Sequence, residues 1–558
     1  MNEQSFPGDP FERNDPNQRL SSGELVPVWR DGDEVECYSP LCDNTSVDVA
    51  IVGGGITGLT AALELAQRGV RVALVEARTV GAGVTGRSSA HLTAMLDARF
   101  HTLRSRFDDE TARIAWRAGA EAIGIIERNA RMFDRDCGFA YVDGWLYSEN
   151  EEGMDEVRLE EMALRELGVP AELGNDVPLP FTATGGIRVP HQAIIHPLRY
   201  VELLAQAAAR AGCRLYERTR AIDIESEENC VKVICEHGTI TADHAIVATH
   251  VPVLRRFALT QSEAHPCRSY MVALDVRNID SVPNALFWDT DQPYHYIRRF
   301  NDGSETPLLL VGGADHRTGA EPHPWTHLDN LERYCRERFD VQRVVRRWSA
   351  QVYQPADGLP YIGRAPFADN IHVATGYDGN GLTLGTIGAA AIARGIAGEK
   401  SEYLEAFSAR RVKMVSTVGH IVSEGVKMVG GFLGDLFSPD TDEPVDLDRG
   451  EGCTVKIEGD QVSIYRDYDG TMHALSASCS HVGCTVEWNS VEQTWDCPCH
   501  GGRYNRYGHV LEGPPTRDLL CLESIHPEQM LRPARIGDPA KTSEREQENG
   551  EQMPEPAT

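Results

Sequence analysis

VDVAIVGGGITGLTAALELAQRGVRVALVE, residues 47 to 76, reads as one complete structural unit. Val47 to Val52 is a short apolar run suited to a buried strand, and GGGITG follows at once. Gly53, Gly55 and Gly58 occupy the three glycine places of G-x-G-x-x-G, LTAALELAQRG continues as a helix, and VRVALVE is a second strand ending in Glu76. Each position has a mechanism. The first glycine permits the tight turn, the second lets a pyrophosphate approach the backbone, and the third lets helix and strand pack closely. The helix start offers N–H groups to phosphate, and Glu76 can accept from an adenosine ribose hydroxyl. A glycine motif alone could be only a turn. Strand, motif, helix, strand and acid in register predict a dinucleotide site opening an α/β domain.

Downstream residues choose between nucleotides. GAGVTGRSSAHLT (Gly81 to Thr93) places a second small-residue loop after Glu76 and contributes Gly86, Arg87 and Ser88 as candidate contacts. Far along the chain, DGLPYIGRAP (Asp357 to Pro366) and HVATGYDGNGLTLGTIGAAAIARGI (His372 to Ile396) form another strand, glycine loop and helix, with Gly376 and Gly381 as candidates. A chain that returns to its nucleotide site so late suits FAD, whose flavin end needs its own cradle.

On these residues the sequence resembles the FAD-dependent oxidoreductases of the glycine oxidase, D-amino-acid oxidase (DAO) and sarcosine oxidase type, over roughly residues 47–398. The AIIHPLRYVELLAQAAARAGCRLYERTRAIDIE stretch (Ala193 to Glu225) matches that family's mid-chain helix and adenine-side strand, with His196 where the family often has Asp before Pro. The resemblance implies a Rossmann-like FAD domain with an inserted α+β substrate domain, and oxidation of C–N bonds in small amines or amino acids by hydride transfer to flavin. No second strand, G-x-G-x-x-G and helix unit is visible, so electrons should enter from an organic substrate. CRSYMVAL (Cys267 to Leu274) and PYHYIRRF (Pro293 to Phe300) fall where relatives place strands beside the flavin. Arg298 is the candidate for holding a substrate carboxylate through its planar fork, with Tyr296, Arg268 and Tyr294 lining the pocket. Ordinary strand residues with solvated charges are the competing reading for each. His91 lies near the place where some relatives attach flavin covalently.

CSHVGC (Cys479 to Cys484) and CPCHGGRY (Cys497 to Tyr504) form the second constellation. They give C-x-H, fifteen intervening residues, then C-x-x-H. Two thiolates and two imidazoles on two loops match a Rieske [2Fe–2S] cluster, with Cys479 and Cys497 on one iron and His481 and His500 on the other. Tetrahedral zinc could use the same ligand types. The paired boxes, the CPCHG string and the short strands around them favour the cluster. The extra pair, Cys484 and Cys499, resembles the loop-joining disulfide of cytochrome bc-type Rieske proteins, and Gly513-Pro514-Pro515 resembles their third, shielding loop. Gly502 stands where high-potential members carry Ser, while Tyr504 matches the Tyr that donates to a cysteine sulfur. One hydrogen bond fewer to sulfur implies a middle potential, and Gly502→Ser should raise it.

The domain reading follows. Residues 1–22 are a polar arm expected to be disordered, and 23–402 the flavin domain, with its nucleotide-binding start at 47–90 and its closing segment at 355–398. Residues 403–447 form a helical and acidic linker, with Val415, Val418, Val422, Val426 and Val429 at helical spacing, either packed on the flavin domain or lying on a membrane surface. Residues 448–536 form a small all-β Rieske domain, and 537–558 a disordered tail. The 558 residues carry 54 Lys plus Arg against 84 Asp plus Glu, a net charge of −30, which argues against nucleic acid or an anionic membrane as the main partner. Six Lys stand against 48 Arg, a bias that a saline cytoplasm or a GC-rich genome would produce. No secretory start and no membrane span are visible, so a cytoplasmic protein is expected.

A flavin dehydrogenase that passes electrons through the cluster to an external carrier (a ferredoxin, a quinone or another acceptor) gives the fusion a purpose. An oxidase using O₂ directly, and a non-catalytic flavin and iron–sulfur redox module, are the alternatives. A Rieske oxygenase is disfavoured, because His191 and His196 have Arg188 where a nearby acid ligand belongs.

Overall fold

The computed structural model describes residues 25–30, 37–411 and 447–525, apart from residues 134, 229, 254–260, 262, 302, 304, 305 and 458. The predicted arm, tail and most of the linker lie outside the described residues. Of the linker's expected helix only the short Glu402–Ala406 turn, which begins one residue before it, is described.

Val49–Val52 is buried at every position, which is why it reads as a continuous apolar run rather than an alternating one. It pairs in parallel with Val72–Val75 on one side and His244–Val247 on the other, in the middle of a six-stranded sheet. Ile371–Thr375 and Tyr361–Arg364 complete one edge and Arg214–Tyr216 the other. The Ile56–Ala66 helix is buried along its whole length. Small residues let the Gly381–Ile396 helix lie against it: a methyl at Gly385 would meet Thr57 Oγ1 at 2.5 Å.

A nine-stranded mixed sheet forms the inserted unit. Its two longest strands, Ala264–Val276 and Val341–Pro355, are antiparallel partners throughout. The C-terminal unit is all-β, with two four-stranded antiparallel sheets. Gly452–Ile457 opens one and Val510–Glu512 closes the other. Trp495, Tyr504 and Tyr465 fill its core. The architecture is therefore a mixed α/β body with a separate small all-β domain, as expected from the sequence.

Side chains alternate across a strand. Ser349, Gln351 and Tyr353 on one long strand, with Pro266 and Arg268 on its neighbour, meet the all-β domain. That face joins the two halves of the molecule.

Candidate functional site

A cavity opens where the parallel strands end. At one end it is lined by Gly53, Gly55, Ile56, Glu76, Arg87 and Ser88. Gly53 takes φ +112°, and a side chain there would also strike the Ala248 carbonyl at 2.5 Å. At Gly58 a methyl would sit 1.9 Å from the Gly53 carbonyl, so helix and strand touch through bare backbone. The Ile56–Ala66 helix has no side-chain cap at Gly55. The Gly381–Ile396 helix likewise has none at Asn380, and its first residues Gly381 and Leu382 also line the cavity. Two helix starts without an N-cap side chain face one cavity; Thr85 Oγ1 takes the Ile56 amide at 3.2 Å, and the other first-turn N–H groups are donors for a pyrophosphate. Glu76 is held at the rim by the Gly54 and Arg78 amides, at 2.7 and 2.9 Å. Thr219, Arg220 and Ala221, from the stretch whose resemblance implies the adenine side, line the cavity as well. These residues fit FAD.

Two expected contacts do not reach the cavity. A methyl at Gly86 would meet the Gly81 carbonyl at 2.3 Å and Leu198 at 2.7 Å, so this glycine is a packing position. Gly376 packs on Tyr361 and Pro355, while Gly381 further on forms the wall. His196 is a helix cap: its Nδ1 accepts from the Arg199 amide at the start of the Pro197–Arg210 helix.

The other end of the cavity is lined by His91, Asp97, Trp288, Tyr294, Tyr296 and Asp378. Tyr296, a sequence candidate, is therefore in place, with its hydroxyl 2.9 Å from Ser269 Oγ. Arg298 and Arg268 are not, and the structure corrects both. The Arg298 guanidinium is buried on the Ser89 and Ala90 carbonyls, at 3.4 and 2.8 Å, and lies over the Trp29 ring. Burial without an acidic partner pulls it down to about 9. It braces the flavin loop and presents nothing to a substrate carboxylate. Arg268 is fully buried on the opposite side, where it bonds both oxygens of Glu492 in the all-β domain at 2.7 and 2.6 Å. Tyr296 and Arg298 share a strand face, but Arg298 lies two residues further along, over Trp29 and the Ser89 and Ala90 carbonyls, while Arg268 is on the face opposite cavity-lining Ser269. Periodicity alone could not tell which face meets the cavity or where the cavity ends.

In the all-β domain the two Cys–His loops come together. The His481 and His500 rings lie 5.0 Å apart at 89°. The hydrogen bond between the Cys479 and Cys497 thiols holds Cys479 down to about 7 and pushes Cys497 up. Burial holds His500 at about 4, hence neutral, and its Nδ1 is buried with no hydrogen-bond partner. Orphaned imidazole nitrogen and paired buried thiols are a donor set that a [2Fe–2S] cluster completes. The Cys484 and Cys499 sulfurs are 2.16 Å apart, as a disulfide beside Cys497. Tyr504 Oη lies 3.2 Å from Cys479 Sγ. Gly502 has a steric reason: a methyl there would sit 2.8 Å from Pro515 Cδ, because the third loop closes directly over it. A Ser at 502 must displace that loop before its hydroxyl can serve sulfur.

The domains meet through a buried charge cluster that the sequence did not disclose. Arg503 bonds Asp496, Glu492 and Glu512 at 2.9, 3.0 and 3.0 Å, and Arg268 adds Glu492 from across the interface. Burial alone would raise the Glu492 carboxyl, but Arg268, Arg503 and Arg87 outweigh it and hold it well below the usual range. Beside the cluster, Tyr353 Oη donates to the His500 carbonyl at 3.1 Å, and Gln351 Nε2 donates to the Gly501 carbonyl at 2.8 Å. Gln351 and Tyr353 also line the cavity, as do Leu511, Glu512, Gly513 and Pro515 from the all-β domain.

The comparisons agree with this geometry. A family model described as FAD dependent oxidoreductase (DAO) matches residues 48–394, and one described as Rieske [2Fe-2S] domain matches residues 440–524. YhfW of Bacillus subtilis (strain 168), a Rieske 2Fe-2S iron-sulfur protein, is 31% identical over 509 residues, covering 91% of this chain and 99% of its own. Glycine oxidase of Geobacillus kaustophilus (strain HTA426) is 27% identical over 352 residues, 60% of this chain and 89% of that protein. A crystal structure of glycine oxidase from Geobacillus kaustophilus shares the flavin-domain fold, with a TM-score of 0.55 at 24% identity over 66% of this chain and 99% of that one. The chain belongs to the DAO family of FAD-dependent oxidoreductases and carries a C-terminal Rieske domain, with FAD and a [2Fe–2S] cluster as its prosthetic groups.

Proposed function

We propose that this oxidoreductase is a dehydrogenase. It oxidises a C–N bond of a small amine or amino-acid-like substrate and delivers the electrons through its Rieske cluster to an external carrier. The observation that carries this reading is the shared wall: Gln351 and Tyr353 line the flavin cavity and hydrogen-bond the loop that bears His500. When bound, FAD supplies a hydride acceptor and the cluster a one-electron relay.

The residues around them have separable tasks. The two helix starts and Glu76 bind the dinucleotide. Tyr294, Tyr296 and Trp288 form the wall that orients a substrate. Cys479 and Cys497 are assigned to one iron, His481 and His500 to the other. Pro515 closes over Gly502 and keeps water from Cys479. The Arg268–Glu492–Arg503 cluster holds the two cofactor sites in register. Oxygen consumption tests the reading. A dehydrogenase turns over with an added one-electron acceptor and yields little peroxide in air. Peroxide formed at the full turnover rate, with the cluster still oxidised, would make it an oxidase.

A further inference from the structure

The substrate end of the cavity is lined by acids and offers no free cationic group to an amino-acid carboxylate. Asp97 and Asp378 both line it. Asp97 Oδ2 accepts from the Gly379 amide at 3.0 Å, which fixes the carboxylate at the wall. Asp315, on the strand Leu308–Arg317, lies close enough to raise Asp378, and its Oδ1 is buried with no hydrogen-bond partner. His91 Nε2, also in the cavity wall, is a second buried atom without one. His91 is neutral, because burial and then Arg298 hold it at about 3.

The nearby cations are already engaged, and Arg99 also partly offsets Asp97. Arg99 bonds Glu156 at 2.8 Å and reaches the Asp289 carbonyl, and Arg298 bonds backbone carbonyls. The arginines that do line the cavity serve its other parts: Arg78 bonds the Ala82 carbonyl near Glu76, Arg220 the Val510 carbonyl, and Arg87 the Ser349 carbonyl at the domain interface. Beside the acids stand the Tyr294 and Tyr296 rings, 5.7 Å apart, with the Tyr294 hydroxyl hydrogen-bonded to Asp97 and Trp288 also in the wall. Aromatic faces attract cations and offer nothing to carboxylates.

We propose that this end of the cavity binds an amine cation that carries no carboxylate on its reacting carbon, held by Asp97 and Asp378 against the Tyr294 and Tyr296 rings. The proposal rests on the C–N oxidation reading above and narrows it from amines or amino acids to amines. An amino-acid zwitterion would bring its carboxylate among three acids with no free guanidinium among the described residues to receive it, and that carboxylate would oppose the ionisation of the very acids its ammonium needs. An ammonium group relieves a repulsion already present. Burial, then Asp97 and Asp315, raise Asp378, and burial pushes Asp315 up to about 7.

Two compounds that cannot be oxidised at the carbon bearing nitrogen provide the test, because neither has a hydrogen there. tert-Butylamine and 2-aminoisobutyrate differ only by a methyl group in place of a carboxylate. Each is titrated into the FAD-loaded full chain while the flavin absorption band is followed. We expect tert-butylamine to perturb the band saturably, and to bind at least about tenfold tighter than 2-aminoisobutyrate. Asp97→Asn and Asp378→Asn should each weaken tert-butylamine by about tenfold at unchanged FAD content. Equal or tighter binding of 2-aminoisobutyrate, no response to tert-butylamine, or unchanged binding in both FAD-loaded variants would overturn the proposal. If tert-butylamine binds as expected but no amine bleaches the flavin without oxygen, the cation site stands and the C–N oxidation reading falls.

Discussion

The iron–sulfur site and the substrate end of the flavin cavity are built in opposite ways. Cys484 and Cys499 are 15 residues apart, and the loops bearing all four candidate ligands come from one short all-β segment. Asp97 and the Gly379 amide that fixes it are 282 residues apart, brought together only by the assembled fold. A site made by two neighbouring loops keeps its chemistry when its surroundings change. A site made by distant strands and a domain interface depends on every contact that holds them. Mutations should separate the two.

The largest effect is expected at the self-contained site. Cys497→Ser should reduce bound iron and acid-labile sulfide to near zero while FAD content stays intact, as elemental and spectral analysis would show. Retained iron and sulfide would mean that the ligand set is wrong, and stoichiometric zinc in the wild type would replace the cluster altogether.

Next is the interface. Glu492→Gln leaves Arg268 and Arg503 without the carboxylate they share, a loss of about 3–5 kcal/mol for a broken buried pair. Denaturant unfolding followed through the cluster absorbance measures it. The same carboxylates set an acid limit. Glu492 and Glu512 lie below their unfolded value in the folded chain, because their arginine partners outweigh burial. Their stabilisation is full above the unfolded value of about 4.3 and disappears as pH falls through the folded values. Domain docking should therefore weaken only below about pH 4, and Glu492→Gln should flatten that dependence. An unchanged acid profile in the variant would assign the limit to other groups.

Gly501→Ala probes the same surface from the backbone. Gly501 has φ +71°, and a methyl there would lie 2.6 Å from Pro266 Cβ and 2.9 Å from Tyr353 Oη. A cost of about 1–3 kcal/mol is expected, read as separation of the flavin and cluster unfolding transitions. Coincident transitions in wild type and variant alike would show that the contact does not couple the domains.

The smallest effect is electronic. Tyr504→Phe removes a hydroxyl 3.2 Å from Cys479 Sγ. One such hydrogen bond corresponds to a fall of about 20–60 mV in a one-electron potential. Gly502→Ser should exceed Gly502→Ala in potential, because both displace Pro515 and only Ser adds a donor.

What could be read before folding follows the same division. The glycine motif at Gly53, Gly55 and Gly58, the acid Glu76 and the two Cys–His boxes are local strings whose spacing is itself the geometry. The two arginines are not legible in the sequence: CRSYMVAL does not show that Ser269 rather than Arg268 faces the cavity, and PYHYIRRF does not show that the cavity ends before Arg298, on the same face as Tyr296. Asp378 lies in the quoted YDGNG loop, yet nothing in the string reveals that the loop reaches Asp97. Glu492 looks like a surface acid until Arg268, 224 residues away, is packed against it.

In the proposed function, the flavin cavity and the cluster exchange electrons across the Gln351–Tyr353 wall. Anaerobic stopped-flow mixing of the fully loaded enzyme with an oxidisable amine, recorded at the flavin and cluster bands together, addresses it directly. Flavin bleaching followed by loss of the oxidised cluster's absorbance within the same turnover is expected. A cluster that stays oxidised while the flavin is fully reduced would contradict it.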